Sequence, residues 1–325
     1  MTAAVDDLMR DYEGDVPGAS VLVLVEGKPA VRRAYGLAVV ETGERTTPQT
    51  NYRLASVTKQ FTAGAVLLLA EDGRLGLDDS VRRWLPSLPQ AADAVTIRHL
   101  LTHTSGLVDY EDLIPQGTTE QLRDADVRGL LEKENRTYFA PGSEYRYSNS
   151  GYALLALIVE KASGDTFATF LRRRIFEPLG METSLAYEAG VSEVPHRGFG
   201  YSKVDGKWVR TDQSVTSAIL GDGGVYSSID DLAKWDAALY DERLFRRATL
   251  DAMFAPATKT DEPDVQYGFG WRITGDTLWH SGETIGFRSV IIRYPQRRVT
   301  VVVLTNRDEP APRPLALAIA RQFIQ

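Results

Sequence analysis

The 325-residue chain contains no cysteine. Disulfides, thiol catalysis and cysteine-ligated metal are thereby excluded, while the compartment stays open. Long apolar runs are missing too: Val21-Leu-Val-Leu-Val25 is of strand length, far short of a membrane span. The N-terminal stretch Met1 to Arg10 is acidic and lacks the apolar segment of a signal peptide. As written, the chain is expected in the cytoplasm; if a leader was replaced by Met1, a periplasmic or secreted protein is expected instead. No basic stripe is present. With 37 Lys+Arg against 44 Asp+Glu the formal net charge is −7, which argues against nucleic acid or an anionic membrane as the main partner. No serine sits in a Gly-x-Ser-x-Gly elbow, which counts against an α/β-hydrolase. Gly268-Phe-Gly270 and Gly221-Asp-Gly223 lack the third glycine of a dinucleotide fingerprint. His99 and His103 stand at i and i+4 without the His-Glu-x-x-His pattern or an evident third ligand. Neither a cofactor nor a metal is expected.

What is present begins with Ser56 and Lys59, in Arg53-Leu-Ala-Ser-Val-Thr-Lys-Gln-Phe61. They stand three apart at the head of a run that reads as a long apolar helix ending near Gly73. On a helix, residues i and i+3 share a face, so the hydroxyl and the amine come within hydrogen-bonding reach. Burial of that helix desolvates the lysine, which lowers its pKa and suits it to activate a nucleophile. The helix N-terminus adds partial positive charge where an attacked carbonyl would become negative. The pair reads as an activated serine that needs no histidine.

Two further motifs follow in order. Tyr147-Ser148-Asn149 lies between the loop signal Pro141-Gly142 and the helical run Tyr152 to Glu160. This places a phenol on a turn at a cleft, with Asn149 or Ser150 as N-cap. His280-Ser281-Gly282 precedes Glu283, and Gly282 permits a backbone or ligand to approach a strand closely.

The triple resembles the penicillin-recognising serine hydrolases, whose motifs are Ser-x-x-Lys, a second polar element and Lys-Thr-Gly. It is most similar to the class C β-lactamase-like branch, which includes D-alanyl-D-alanine carboxypeptidases, D-aminopeptidases and family VIII esterases. That branch uses Tyr-x-Asn as its second element, matched by Tyr147 and Asn149. Leu101 to Tyr110 and Gly221 to Ser228 also resemble segments widespread there. The departure is His280-Ser281-Gly282 where penicillin-binding members carry Lys-Thr-Gly. His-x-Gly variants occur among esterase and aminopeptidase members, so a carboxylesterase is expected ahead of a β-lactamase or a D-amino-acid peptidase. The resemblance implies attack by Ser56, proton transfer through Tyr147 coupled to Lys59, orientation by Asn149, and an oxyanion site at the N–H groups of Ser56 and Glu283. It further implies substrate contacts from His280, Ser281 and Gly282, with Tyr110 as a cleft-lining residue. The expected partner is a small ester, amide or lactam. The competing class is a non-hydrolytic receptor for β-lactams or peptidoglycan fragments.

Hydrophobic content of 43% and charged content of 25% are ordinary for a soluble globular chain. Strands are expected at Ala19 to Glu26, Ala30 to Val40, Phe269 to Ile273, Leu278 to His280, Phe287 to Tyr294 and Val299 to Thr305, with a C-terminal helix over Ala311 to Ile324. The middle of the chain reads as helical. The resulting expectation is an α/β (α+β) fold: an antiparallel sheet of about five strands from both chain ends, helices flanking it, and an all-helical region. The sheet domain would comprise residues 1–79 and 221–325, the helical domain 80–220, with the active site in the groove between them.

Overall fold

A computed structural model describes residues 2–324. Its main sheet is antiparallel throughout and has eight strands. In spatial order they are Thr258–Lys259, Gln266–Tyr267, Arg272–Thr274, Thr277–Thr284, Phe287–Tyr294, Val299–Thr305, Ala19–Val25 and Lys28–Tyr35. The chain ends meet where Ala19–Val25 pairs with Val299–Thr305. About five strands were expected and the sheet has eight, five of them long. The other three have two or three residues each, too short for side-chain alternation to show in a sequence. Where one strand was expected from Ala30 to Val40, Gly36 at φ +73° breaks it into Lys28–Tyr35 and Leu37–Val39.

Alternation in the central strands feeds two cores. Leu22, Leu24, Ile291, Val302 and Leu304 face the large core around the helix Lys59–Glu71. Val21, Val23, Val290, Ile292, Val301 and Val303 face the other side, under Val5, Ala316 and Ile319 from the terminal helices and Met9 just after the first of them. The helix Asn149–Ser163 packs against Lys59–Glu71 and is buried along most of its length. The stretch expected to be all-helical also holds the hairpin Tyr201–Val204/Lys207–Arg210 and the short strand Leu185–Ala186. The latter joins Tyr52–Arg53 and Val225–Ser227 in a small second sheet.

A buried ion pair locks the helix Ile229–Ala238 onto the sheet. Arg293 Nε donates to Asp236 Oδ1 at 2.6 Å, and Thr300 Oγ1 donates to the same oxygen at 2.8 Å. Arg293 and Asp236 are each about 1% exposed. Removing one partner strands a charge, whereas replacing both with apolar groups does not. We therefore expect Asp236→Ala to cost about 3–5 kcal/mol in urea denaturation, and Asp236→Leu/Arg293→Met to lose much less. Equal losses in the two variants would contradict this reading.

Candidate active site

The site is built on a short turn. Ser56 lies in the 3-10 turn Ala55–Thr58, and the α-helix starts only at Lys59. The expected continuous helix is thus modified: in a 3-10 turn residues i and i+3 eclipse, which still brings Ser56 and Lys59 together. Ala55 enters at φ +49°, a left-handed conformation uncommon for a residue with a Cβ. Neighbours impose it. Leu54 N donates to Val225 O at 2.8 Å, Val225 N donates to Thr58 Oγ1 at 3.1 Å, and Thr62 Oγ1 donates to Gly221 O at 2.7 Å. Arg53, 3% exposed, donates to Gly223 O and Ser217 O at 3.1 and 2.8 Å. The 221–225 segment therefore clasps the Ser56 turn.

Lys59 is fully buried and donates to three acceptors: Ser56 Oγ at 3.1 Å, Asn149 Oδ1 at 2.8 Å and Asp222 O at 3.0 Å. These account for all three N–H groups of an ammonium. Because Ser56 Oγ accepts from Lys59, the serine's own proton is free to go elsewhere. Tyr147 is half-buried, with its ring centroid 4.9 Å from Lys59 Nζ, and its hydroxyl has no hydrogen-bond partner among the described residues. Lys59 thus meets the face of the Tyr147 ring rather than its hydroxyl. Asn149 bridges: its Nδ2 donates to Glu111 Oε1 at 3.0 Å and its backbone N–H to Asp109 Oδ2 at 2.8 Å. The helix cap is Ser148, whose side chain accepts from Gly151 N, so Asn149 is left free for Lys59.

The third motif lies along the strand Thr277–Thr284. A Cβ on Gly282 would stand 2.0 Å from Leu54 O and 2.5 Å from Ser289 Oγ, so only glycine lets this strand approach the Ser56 turn. Glu283 is exposed, lies 3.7 Å from Arg288, and lines the same small cavity as Ser56. That cavity, about 60 Å³, is also lined by Tyr110, Glu111, Asn149 and Asp222. Ser281 is half-buried; its carbonyl accepts from His280 Nδ1 at 2.7 Å, which leaves Nε2 to accept from the Tyr267 hydroxyl at 3.0 Å. Burial, helped by Arg272 and Lys59, pushes the His280 pKa well below the ordinary value, so the ring is neutral at pH 7. Neither Tyr147 nor His280 is among the residues lining the 60 Å³ cavity.

Beside Tyr110, which the resemblance gave as cleft-lining, two carboxylates that sequence reasoning did not single out, Asp222 and Asp124, complete the site. Tyr110 is buried and its hydroxyl donates to Asp222 Oδ2 at 2.9 Å. Asp124 accepts from Leu220 N and Gly221 N at 2.9 and 3.0 Å, holding the turn that carries Asp222. His103 stacks 4.3 Å from Tyr147, and its Nδ1 accepts from Ser148 N at 3.1 Å. His99 instead completes a capping box with Thr96. The only sequence signal for Asp222 was its place inside Gly-Asp-Gly-Gly; its burial depends on contacts far along the chain.

A serine held by a buried lysine, between an antiparallel sheet and a helical layer, defines the β-lactamase-type class of serine hydrolase. The chain belongs to the β-lactamase family, which matches residues 1–324. It is 35% identical to penicillin-binding protein 4* of Bacillus subtilis, over 94% of this chain and 71% of that protein. It is 32% identical to a D-aminopeptidase of Gluconobacter oxydans, over 96% of this chain but 59% of that protein. The solved structure of a penicillin-binding protein from Bacillus halodurans superposes with a TM-score of 0.86 at 28% identity, covering 99% of this chain and 100% of that one. The family is one of serine hydrolases, and other solved neighbours, at 25% identity, are a hydrolase with promiscuous acyltransferase activity and a D-amino acid amidase of Ochrobactrum anthropi.

Two outcomes follow from the packing. Gly282→Ala should destabilise the fold by about 1–3 kcal/mol and slow fluorophosphonate labelling of Ser56, because the strand must retreat from Leu54; unchanged labelling and stability would rule out the close approach. The second concerns Asp124, whose pKa burial pushes up to about 7. The folded chain then holds a proton that the unfolded chain releases above about pH 3.9, so this group's contribution to stability falls as pH rises toward 7. The stability of wild type relative to Asp124→Asn should accordingly decline from pH 5 to pH 8 in urea titrations, and a pH-independent difference would refute it.

Proposed function

We propose that the chain is a serine hydrolase that works through an acyl-enzyme on small esters or neutral amides, a carboxylesterase in the first instance. The observation that carries this is the Lys59–Ser56 hydrogen bond, with the remaining lysine N–H groups taken by Asn149 and Asp222. Ser56 Oγ attacks the carbonyl carbon while its proton passes to Tyr147. The tetrahedral oxyanion collapses, the leaving group takes the proton back from Tyr147, and the acyl group stays on Ser56. Water then cleaves the acyl ester. The N–H groups of Ser56 and Glu283 would hold the oxyanion, and losing such a donor costs about 3–4 kcal/mol.

Charge supports neutral substrates. Glu111, Asp222 and Glu283 outnumber Arg53 along the cavity, and a neutral His280 stands where Lys-Thr-Gly members carry a lysine. A β-lactam carboxylate meets acidic groups and loses one charge-assisted contact, worth about 1.5–3 kcal/mol or roughly ten- to a hundredfold in efficiency. The same carboxylates favour a second reading, cleavage of substrates bearing a free ammonium, as the name of the D-aminopeptidase relative suggests.

Ser56→Ala should abolish turnover and labelling without unfolding the chain. Lys59→Ala and Tyr147→Phe should each lower kcat by about a thousandfold or more, with the double variant scarcely worse, because they act as one proton-transfer unit. Multiplying losses would show that they act independently. The kcat/KM for p-nitrophenyl butyrate should exceed that for nitrocefin. A D-alanine p-nitroanilide cleaved faster than the ester would favour the second reading, and nitrocefin as best substrate would overturn both.

A further inference from the structure

The three atoms that receive Lys59 are all neutral oxygens, so the buried ammonium has no carboxylate in direct contact. A buried charge without a counter-charge is costly. Two carboxylates feel it, those of Asp222 and Glu111. Glu111 is exposed at the mouth, where water and salt screen it, whereas Asp222 is buried and acts in a lower dielectric. Asp222 is also fixed at both ends. Its carbonyl accepts from Lys59, its carboxylate accepts from the buried Tyr110 hydroxyl, and its turn hangs from Asp124. Tyr110 is itself anchored, its N–H donating to Ser150 Oγ at 2.7 Å beside Asn149.

We propose that Asp222 is the positioning residue for Lys59: its main-chain carbonyl aims the ammonium, and its carboxylate, held by Tyr110, supplies the counter-charge for that ammonium while Tyr147 takes the serine proton. This rests on the acyl-enzyme reading of Ser56 and adds a residue to it. The groups facing Asp222 are Lys59 on its helix, Arg53 on the adjoining strand, Tyr110 and Glu111 on the 110–113 turn, and Asp124 beneath. Burial raises the carboxyl to about 6 and Glu111 adds to this, against Lys59, Tyr110 and Arg53, which favour the ionised form. Below that pH the acid takes a proton, the counter-charge disappears, and kcat falls.

The experiment measures kcat and KM for p-nitrophenyl butyrate from pH 5 to 8 in wild type, Asp222→Asn and Tyr110→Phe, with circular dichroism for folding and fluorophosphonate labelling at Ser56. Asp222→Asn keeps the main-chain carbonyl and removes only the charge. It should lower kcat at pH 7.5 by about tenfold or more, leave KM within about threefold, and lose the acid inflection near pH 6. Tyr110→Phe removes the donor that favours the carboxylate, so its inflection should move to higher pH. A folded Asp222→Asn protein with wild-type kcat and an unchanged inflection overturns the inference. If that variant does not fold, an unshifted inflection in Tyr110→Phe overturns it, and a shifted one supports it. Wild type that is neither labelled nor active overturns the hydrolase reading and this inference together; an active, labelled wild type isolates the inference.

Discussion

One buried charge organises this molecule. The Lys59 ammonium is out of water, and its acceptors come from segments 3, 90 and 163 residues away in the chain. Leaving any of its N–H groups unpaired in that setting is expensive, so the Ser56 turn, the Asn149 helix and the 221–225 segment are held together by a common requirement. The clasp of Thr58 and Thr62 on that segment, and the Asp124 cap beneath it, act in the same direction. Ser56 is thus presented by a polar cluster.

The electrostatics of the cleft are equally specific. The third motif carries a histidine kept neutral by burial and committed through both ring nitrogens to Ser281 and Tyr267. Positive charge near the site is carried by buried Lys59, by Arg53, which lines the cavity beside the carboxylates, and by Arg272 near His280. Gly282 contributes through what it lacks. A side chain there would separate the strand from the Ser56 turn and open the cavity on that side.

Much of this was legible in the residues. The bounds Phe287–Tyr294 and Val299–Thr305 follow from strand-length runs rich in Val, Ile, Thr and aromatic residues, and both agree with the structure. Gly164, at φ +82°, ends one helix and Thr166 caps the next, as their residue types predict. The short strands Thr258–Lys259, Gln266–Tyr267 and Arg272–Thr274 were less visible, because two or three residues carry no periodicity and their pairing comes from the neighbouring long strand. Ser148, rather than Asn149 or Ser150, caps the helix, since Asn149 is drawn to Lys59 by a contact 90 residues away.

The sequence by itself determined the local chemistry: a serine and a lysine within one turn, a tyrosine and asparagine at a helix start, a glycine where a strand must be approached. Spacing along a helix or strand is enough for this, because neighbours in sequence are neighbours in space. The tertiary structure alone decided which carboxylates surround the lysine, that His280 is neutral, and that Tyr110 points at Asp222. Burial and charge environment are sums over residues distant in the chain, and no local pattern of residues records them.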